Sequence, residues 1–246
     1  MPGPACVRHP GRETGVRCTR CDRPACADCL REAPVGYQCV DCVAEGARSR
    51  PRSVQWPRPA GRPVVAFSLI AINVVIFAIT AAVAGSVENN DASSLFGKLA
   101  LQRGEVANGA WWELLTSGFL HFGPIHLAFN MIALWVIGRD LERLLGSARF
   151  LVLYLVSLLG GSLVVLLFEN AASRTAGASG AVFGLMGGLA VVLWKMRLSP
   201  SPALTIIAVN VIISFVIPQI SWLGHLGGLA FGAATTALML RRVASP

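Results

Sequence analysis

The sequence predicts an all-α polytopic membrane protein, in which a bundle of six transmembrane helices follows a small cysteine-rich domain. Three observations support this fold class. Of the 246 residues, 54% are hydrophobic and 14% are charged, whereas an ordinary soluble domain carries about 25% charged residues. The 7 cysteines all fall within residues 6–42. From residue 64 onward the chain contains uncharged apolar runs of a length that crosses a bilayer, which is about 20 residues.

The cysteines and one histidine occur in pairs that are separated by two residues. The pairs are Cys6 and His9, Cys18 and Cys21, Cys26 and Cys29, and Cys39 and Cys42. This spacing lets one tight turn direct two side chains at one metal, and the eight ligands suit two tetrahedral zinc ions. Disulfides or free thiols are the alternative, but an odd number of cysteines fits disulfide bonds poorly.

We therefore expect a zinc-binding domain over residues 1–45, with two structural Zn²⁺ ions and no metal used for catalysis. So short a segment has little hydrophobic core, and bound metal would stabilise its fold. Residues 46–63 follow as a basic, proline-rich linker that is too polar to bury apolar surface.

The predicted membrane domain spans residues 64–242. Its apolar runs, which are free of Asp, Glu, Lys and Arg, cover residues 64–87, 114–138, 150–168, 175–194 and 198–240. The last run is too long for one span and suits two helices with a turn near Pro218, which gives six helices. Helices are expected because a backbone in lipid must satisfy its own hydrogen bonds.

The Lys and Arg residues predict the orientation of this bundle. They cluster before helix 1, after helices 2 and 4, and in the tail, at Arg48, Arg50, Arg52, Arg58, Arg62, Arg139, Arg143, Arg149, Lys195, Arg197, Arg241 and Arg242. Positively charged loops face the cytoplasm, so we expect a multi-pass protein of the cell membrane with both termini cytoplasmic. This bias and the basic head account for the net charge of +8, and no nucleic-acid partner is expected.

Four polar residues within the spans are candidates for function, because polar groups in a bilayer are costly. They are His126 and Asn130 in helix 2, Ser179 early in helix 4, and His225 early in helix 6. In the predicted orientation, all four lie near the outer ends of their helices. Taken singly, each has a structural explanation: Ser179 could bond a backbone carbonyl, Asn130 could link helices, and His225 could be a buried core histidine.

Together these residues favour serine hydrolase chemistry. The apolar runs contain no paired acids and no H-E-x-x-H zinc motif, which excludes the two other common intramembrane protease types. Ser179 then supplies the nucleophile and His225 the general base. No acid follows Glu169, so a dyad is expected rather than a triad, with His126 and Asn130 as oxyanion donors.

Glycines at a spacing of four support close contact between helices 4 and 6. The two stripes are Gly180, Gly184 and Gly188, and Gly224, Gly228 and Gly232. Small residues at this spacing let two helix backbones approach, which a short serine side chain needs in order to reach a histidine on another helix.

The motifs Gly177-Ala178-Ser179-Gly180, His225-Leu226-Gly227-Gly228 and His126-Leu127-Ala128-Phe129-Asn130 resemble those of the rhomboid intramembrane serine proteases. The resemblance implies a six-helix rhomboid-like bundle that cleaves single-span membrane proteins in the lipid bilayer by an acyl-enzyme route. It also implies that Phe183 packs on the base. The first loop reads Trp112-Glu113 where family members often carry Trp-Arg.

The head resembles the B-box class of cross-braced zinc fingers. That resemblance implies one site from Cys6, His9, Cys26 and Cys29, and another from Cys18, Cys21, Cys39 and Cys42. B-box modules often mediate protein contacts, so we expect a protein partner for the head. The typical B-box ends in two histidines, where this chain has Cys39 and Cys42.

Two other functions remain open. A catalytically silent rhomboid-like protein would bind membrane clients, although such relatives usually lack the serine or the histidine. A six-helix transporter would be expected to carry intramembrane acids or broken helices near mid-membrane. The presence of both Ser179 and His225 favours the protease.

Overall fold

The computed structural model describes residues 3–34, 36–49, 61–170, 173–216 and 220–241. The chain divides into two compact units, Met1–Gln55 and Trp56–Pro246. Three features of the sequence-based prediction lie outside the described residues: the linker between residues 50 and 60, Pro218 and Arg242.

The described part of the first unit contains two short hairpins and a helix. Strand β1 (Ala5–Cys6) pairs with β2 (His9–Glu13), and β3 (Leu30–Ala33) pairs with β4 (Gly36–Cys39), both antiparallel. Helix α1 (Val40–Ser49) follows β4 directly. The interior of this unit consists mainly of the cysteines themselves, packed with Ala25 and Leu30.

The second unit contains the membrane helices. Among the described residues they fall into three groups: long helices, one bent pair and two shorter helices. Helices α2 (Val64–Ala84), α8 (Ser147–Phe168) and α11 (Trp222–Arg241) are long and apolar enough to span a bilayer. A bent pair, Glu113–Phe119 and Gly123–Leu145, forms a fourth candidate span, and two shorter apolar helices are α9 (Ser179–Lys195) and α10 (Ser201–Val216). The predicted all-α polytopic membrane fold is confirmed.

The predicted helix 2 differs from the structure at both ends. The segment predicted as one helix over residues 114–138 begins with α5 (Glu113–Thr116) and a 3₁₀ turn, and then bends by 92°. The chain restarts as α6 (Gly123–Ala133) because Pro124 suits the first helical turn and Gly123 adopts a positive φ of 73°. A π-helical turn then leads into α7 (Arg139–Leu145), whose charged residues do not end the helix.

The loop between α2 and α6 contains its own short elements. They are α3 (Ser94–Leu99), β5 (Leu101–Gln102), α4 (Arg103–Ala107) and α5. Strand β5 pairs with β6 (Arg174–Thr175), which comes just before α9. This pairing ties the first loop to the segment that leads into the candidate nucleophile.

Helices α9 and α11 cross with their backbones in contact. A Cβ added at Gly228 would overlap the carbonyl group of Gly180, and one added at Gly232 would overlap the carbonyl group of Gly184. A Cβ at Gly161 of α8 would lie 2.7 Å from the carbonyl oxygen of Gly224. The glycine stripes are therefore the contact surface of α9 and α11, and α8 packs against the same junction.

The buried carboxylate of Glu142 fixes the start of α2. Its two oxygens accept the backbone N–H groups of Val65, at 3.0 Å, and Ala66, at 2.7 Å. The hydroxyl of Ser147 donates to Glu142 at 2.6 Å. A negative charge at a helix N-terminus is favourable because it pairs with unsatisfied N–H groups and with the helix dipole.

Candidate active site and metal clusters

Ser179 is the first residue of α9 and follows a backbone turn that only glycine suits. Gly177 has a φ of 137°, and a Cβ there would lie 2.8 Å from His126 Cε1, 3.0 Å from His126 Nε2 and 3.4 Å from Ser179 Oγ. Ser179 Oγ and the His126 ring therefore border the same small space beside Gly177. The predicted helix 4 starts four residues later than expected because Gly177 breaks the backbone pattern.

His225 lies in the first turn of α11 and is buried. Phe183, one turn after Ser179 on α9, stacks on its ring with centroids 4.1 Å apart. The residues next to the two candidates are also in contact, since a Cβ on Gly180 would lie 3.3 Å from the carbonyl oxygen of Gly224. Ser179 and His225 thus project from neighbouring backbone segments.

The His225 ring has one hydrogen-bond partner among the described residues, and it is Ser214. His225 Nδ1 lies 2.6 Å from Ser214 Oγ. No hydrogen bond joins Ser179 Oγ to His225 within the described part of the chain. Catalytic hydrogen bonds are often long in substrate-free enzymes and tighten when substrate binds.

The hydrogen bonds of His126 define which of its nitrogens carries the proton. The backbone N–H of Phe122 donates to His126 Nδ1 at 3.3 Å, so in the neutral ring the proton lies on Nε2. Nε2 is the nitrogen that faces Gly177. Asn130 Nδ2 donates to the carbonyl oxygen of His126 at 3.0 Å, which uses one of its two protons. Both residues therefore keep an N–H that can donate to another group.

His121 and Asn90 belong to this region, although the sequence patterns gave them no role. His121 is fully buried, and its ring centroid lies 5.1 Å from that of His126. Within the described residues, neither ring nitrogen of His121 has a hydrogen-bond partner. Asn90 donates to the carbonyl oxygen of His121 and accepts the N–H of Gly123, both at 2.9 Å. Asn90 thus fixes the chain just before α6.

The ligand atoms in the head form two clusters within the described residues. Cys6, His9, Cys26 and Cys29 make one cluster, and Cys18, Cys21, Cys39 and Cys42 make the other. In each cluster all ligand atoms lie within 4.8 Å of one another. Both clusters can bind metal ions, and their membership matches the cross-braced division that the B-box resemblance implies.

The separations within the clusters fit tetrahedral zinc. Bond lengths of about 2.3 Å to sulfur and 2.0 Å to nitrogen hold two sulfurs about 3.8 Å apart, and sulfur and nitrogen about 3.5 Å apart. His9 Nδ1 lies 3.4 Å from both Cys26 Sγ and Cys29 Sγ, and 3.8 Å from Cys6 Sγ. Cys21 Sγ and Cys39 Sγ are 3.8 Å apart.

Backbone N–H groups favour the thiolate form in each cluster. Hydrogen bonds led by the one from the Cys26 backbone lower the pKa of the Cys6 thiol to about 6. Burial opposes ionisation of Cys18, but hydrogen bonds from backbone N–H groups outweigh the effect of burial and lower the pKa of the Cys18 thiol to about 6. One of these donors, the backbone nitrogen of Cys39, lies 3.1 Å from Cys18 Sγ. Because the thiolate is the metal ligand, these hydrogen bonds favour a cation beside Cys6 and Cys18, whereas burial raises the pKa of the Cys29 and Cys42 thiols in the same clusters.

Comparison with known proteins identifies the family of the second unit. The model of the Rhomboid domain matches residues 108–242, which is more than half of the chain. The chain belongs to the rhomboid family. This confirms the family resemblance drawn from the three motifs, and the apolar helices together with the family make the chain a multi-pass membrane protein.

The rhomboid relatives include bacterial and plant proteins. The chain is 36% identical over 184 residues to the "Rhomboid protease GluP" of Bacillus subtilis, covering 73% of this chain and 35% of the relative. It is 37% identical over 142 residues to the "Putative rhomboid protease YdcA" of the same organism, covering 56% of this chain and 71% of the relative. "RHOMBOID-like protein 5" of Arabidopsis thaliana is 38% identical over 151 residues, which cover 58% of this chain and 48% of the relative.

Glu113, which departs from the Trp-Arg pair that the resemblance leads us to expect, anchors the first loop. It is 2% exposed, and Glu113 Oε2 accepts the backbone N–H of Gln102 at 2.9 Å. The neighbouring Trp112 donates from Nε1 to the carbonyl oxygen of Lys98 at 2.9 Å. The loop is thus held by an acceptor at this position, where arginine could only donate.

Proposed function

We propose that this chain is a serine endopeptidase that cleaves transmembrane segments of membrane proteins, with Ser179 as nucleophile and His225 as general base. The observation that supports it best is the contact between α9 and α11, in which Gly180 approaches the carbonyl oxygen of Gly224 and Phe183 stacks on His225. This contact holds the first turns of the two helices side by side. The similarity to proteins named rhomboid proteases supports the same chemistry.

The proposed reaction has two stages. Ser179 Oγ bonds to the carbonyl carbon of the scissile peptide while its proton moves to His225 Nε2. The C–N bond then breaks, and His225 passes that proton to the leaving amine, which leaves an acyl-enzyme. A water molecule attacks the ester, giving its proton to His225. The ester C–O bond breaks, and the proton returns to Ser179 Oγ as the new carboxylic acid is released.

His126 and Asn130 would stabilise the negative oxygen that forms in each stage. The His126 Nε2–H faces the space beside Gly177 and Ser179, and Asn130 keeps one N–H free of its bond to the His126 carbonyl. A donor aimed at the developing oxyanion contributes about 3 kcal/mol to transition-state stabilisation.

The substrates proposed from the family are single-span membrane proteins that reach the site from the lipid bilayer. The distribution of Lys and Arg supports a cell-membrane protein with both termini in the cytoplasm. In that orientation, Ser179 and His225 lie toward the outer side of the membrane. The alternative, a catalytically silent protein that binds membrane clients, would share this topology.

For the head we propose a B-box-like domain over residues 1–45 with two structural Zn²⁺ ions, a linker over residues 46–63, and the protease domain over residues 64–242. The donor sets, three thiolates with one imidazole and four thiolates, are those of closed structural zinc sites. Bound zinc would stabilise the folded state of this small domain. The role proposed for the domain is contact with a protein partner.

Labelling with a fluorophosphonate probe tests the proposed hydrolase. We expect the purified 246-residue protein in detergent to form one covalent adduct at Ser179 and to cleave a single-span substrate. Ser179→Ala and His225→Ala should abolish both, while Ser157→Ala serves as the control for loss of a buried helix hydroxyl. A folded wild-type protein that neither labels nor cleaves would support the client-binding alternative.

A further inference from the structure

Ser214 is a buried polar residue on α10, a helix in which most other residues are exposed. Ser214 is 4% exposed, whereas the nearby Ile212 is 62% exposed and Phe215 is 60% exposed. It lies in the last described turn of α10 and contacts the ring of His225 on α11. A polar side chain inside a membrane bundle is costly unless it is hydrogen-bonded, and neither the motifs nor the proposed dyad assigns a role to Ser214.

The two hydrogen bonds of Ser214 determine where its proton lies. Ser214 Oγ is 2.7 Å from the carbonyl oxygen of Asn210 and 2.6 Å from His225 Nδ1. A hydroxyl has one proton to donate, and a carbonyl oxygen can only accept. Two oxygens 2.7 Å apart without a proton between them would repel each other, so the Ser214 proton points at Asn210.

This assignment fixes the tautomer of His225. Because the Ser214 proton is already used, Ser214 Oγ can only accept from His225 Nδ1, which must then carry a proton. In the neutral ring, Nε2 is left with a free lone pair. A general base needs that lone pair, and the other tautomer would present an N–H to Ser179 instead.

We propose that Ser214 is a positioning residue that holds His225 as the Nδ1–H tautomer, through a chain of hydrogen bonds from His225 to Ser214 to the Asn210 carbonyl. The inference rests on the proposed dyad. It gives the base an orienting partner without a carboxylate, in a chain whose intramembrane runs contain no acid. Ser214 touches neither the substrate nor the reacting atoms and acts through His225 alone.

Three variants test this inference. Ser214→Ala removes the acceptor, and Ser214→Thr keeps a hydroxyl at the same place. Ser157→Ala is the matched control, because Ser157 is also a buried helix serine whose Oγ donates to a carbonyl four residues earlier, that of Leu153 at 2.7 Å. For each folded variant, the rate constant of fluorophosphonate labelling at Ser179 is measured together with kcat and KM for a single-span substrate.

We expect Ser214→Ala to lower kcat and the labelling rate about tenfold with KM unchanged, which corresponds to the loss of one neutral hydrogen bond to the base. Ser214→Thr should restore both rates, and Ser157→Ala should leave them unchanged. Equal labelling of wild type and Ser214→Ala would overturn the inference. A wild type that does not label would instead contradict the proposed hydrolase.

A spectroscopic measurement tests the inference without an activity assay and without a Ser214 variant. The ring nitrogens of His225 are observed by ¹⁵N NMR in histidine-labelled wild-type protein, with the signals assigned by their loss in His225→Ala. The inference predicts a protonated Nδ1 and an unprotonated Nε2 at neutral pH. The opposite tautomer would overturn it even if the enzyme is active.

Discussion

The ring of Phe183 stacks on the imidazole of His225, with an angle of 14° between the ring planes. Phe183 and Ser179 lie four residues apart on α9, so they share one face of the helix. The aromatic residue that packs on the proposed base is thus on the same helix face as the proposed nucleophile. A shift of α9 against α11 would disturb both residues together.

Replacement of Phe183 tests this stacking. We expect Phe183→Ala to lower kcat about tenfold, because a stacked aromatic pair contributes about 0.5–1.5 kcal/mol beyond its buried area. Phe183→Tyr keeps the ring and should retain most of kcat. The measurement is kcat for a single-span substrate. Equal values for the alanine variant and the wild type would mean that the stacking has no catalytic role.

The oxyanion assignment predicts a selective loss of catalytic rate. His126→Ala and Asn130→Ala should each lower kcat by about 100-fold or more, because each removes a donor that acts on the transition state. KM should change little, since the ground-state carbonyl gains less from these donors. Ser162→Ala, which removes another buried hydroxyl in α8, is the control. A rise in KM with an unchanged kcat would assign these residues to substrate binding instead.

The backbone contact between α9 and α11 predicts a large effect of adding one methyl group. Gly228→Ala would force a Cβ into the carbonyl of Gly180, and we expect a destabilisation of about 1–3 kcal/mol or more. Gly97→Ala is the control, since nothing lies within 4 Å of a Cβ there. Thermal unfolding in detergent measures both. A Gly228→Ala protein as stable as the control would contradict the close contact.

The division of the head into two clusters predicts which pairs of substitutions remove one metal ion and which remove both. We expect about two zinc ions per chain by elemental analysis, because the ligands form two sets of four. Cys6→Ser with Cys26→Ser disrupts one cluster and should leave about one ion, whereas Cys6→Ser with Cys39→Ser disrupts both and should leave none. Equal metal content in the two double variants would contradict the cross-braced arrangement.

The sequence alone predicts much of this fold because lipid allows few backbone solutions. Run lengths locate the helices, and the glycine stripes identify α9 and α11 as neighbours. The bend before α6 is missed because hydropathy does not report a break at Gly123 between two apolar segments. The helical continuation to Leu145 is missed for the converse reason, since charged residues end a hydrophobic run but not a helix.

The polar contacts that sequence reasoning missed, in the candidate site and at the start of α2, join residues on different elements. Glu142 bonds the backbone of Val65, and Asn90 bonds Gly123. Ser214 contacts His225 on the next helix. A single Asn, Glu or Ser has no sequence pattern that identifies such a partner, whereas Ser179 and His225 are candidates because they are polar residues in apolar segments and also belong to glycine-rich motifs. Tertiary contact, rather than spacing, defines the positioning groups.

The most direct test of the proposed dyad is the rate of fluorophosphonate labelling at Ser179 in wild-type protein and in His225→Ala, with the modified residue identified by peptide mass spectrometry. The proposed dyad predicts one adduct per wild-type chain at Ser179 and none in the variant, because His225 must take the hydroxyl proton. Labelling of His225→Ala at the wild-type rate, or an adduct on a different residue, would contradict the dyad.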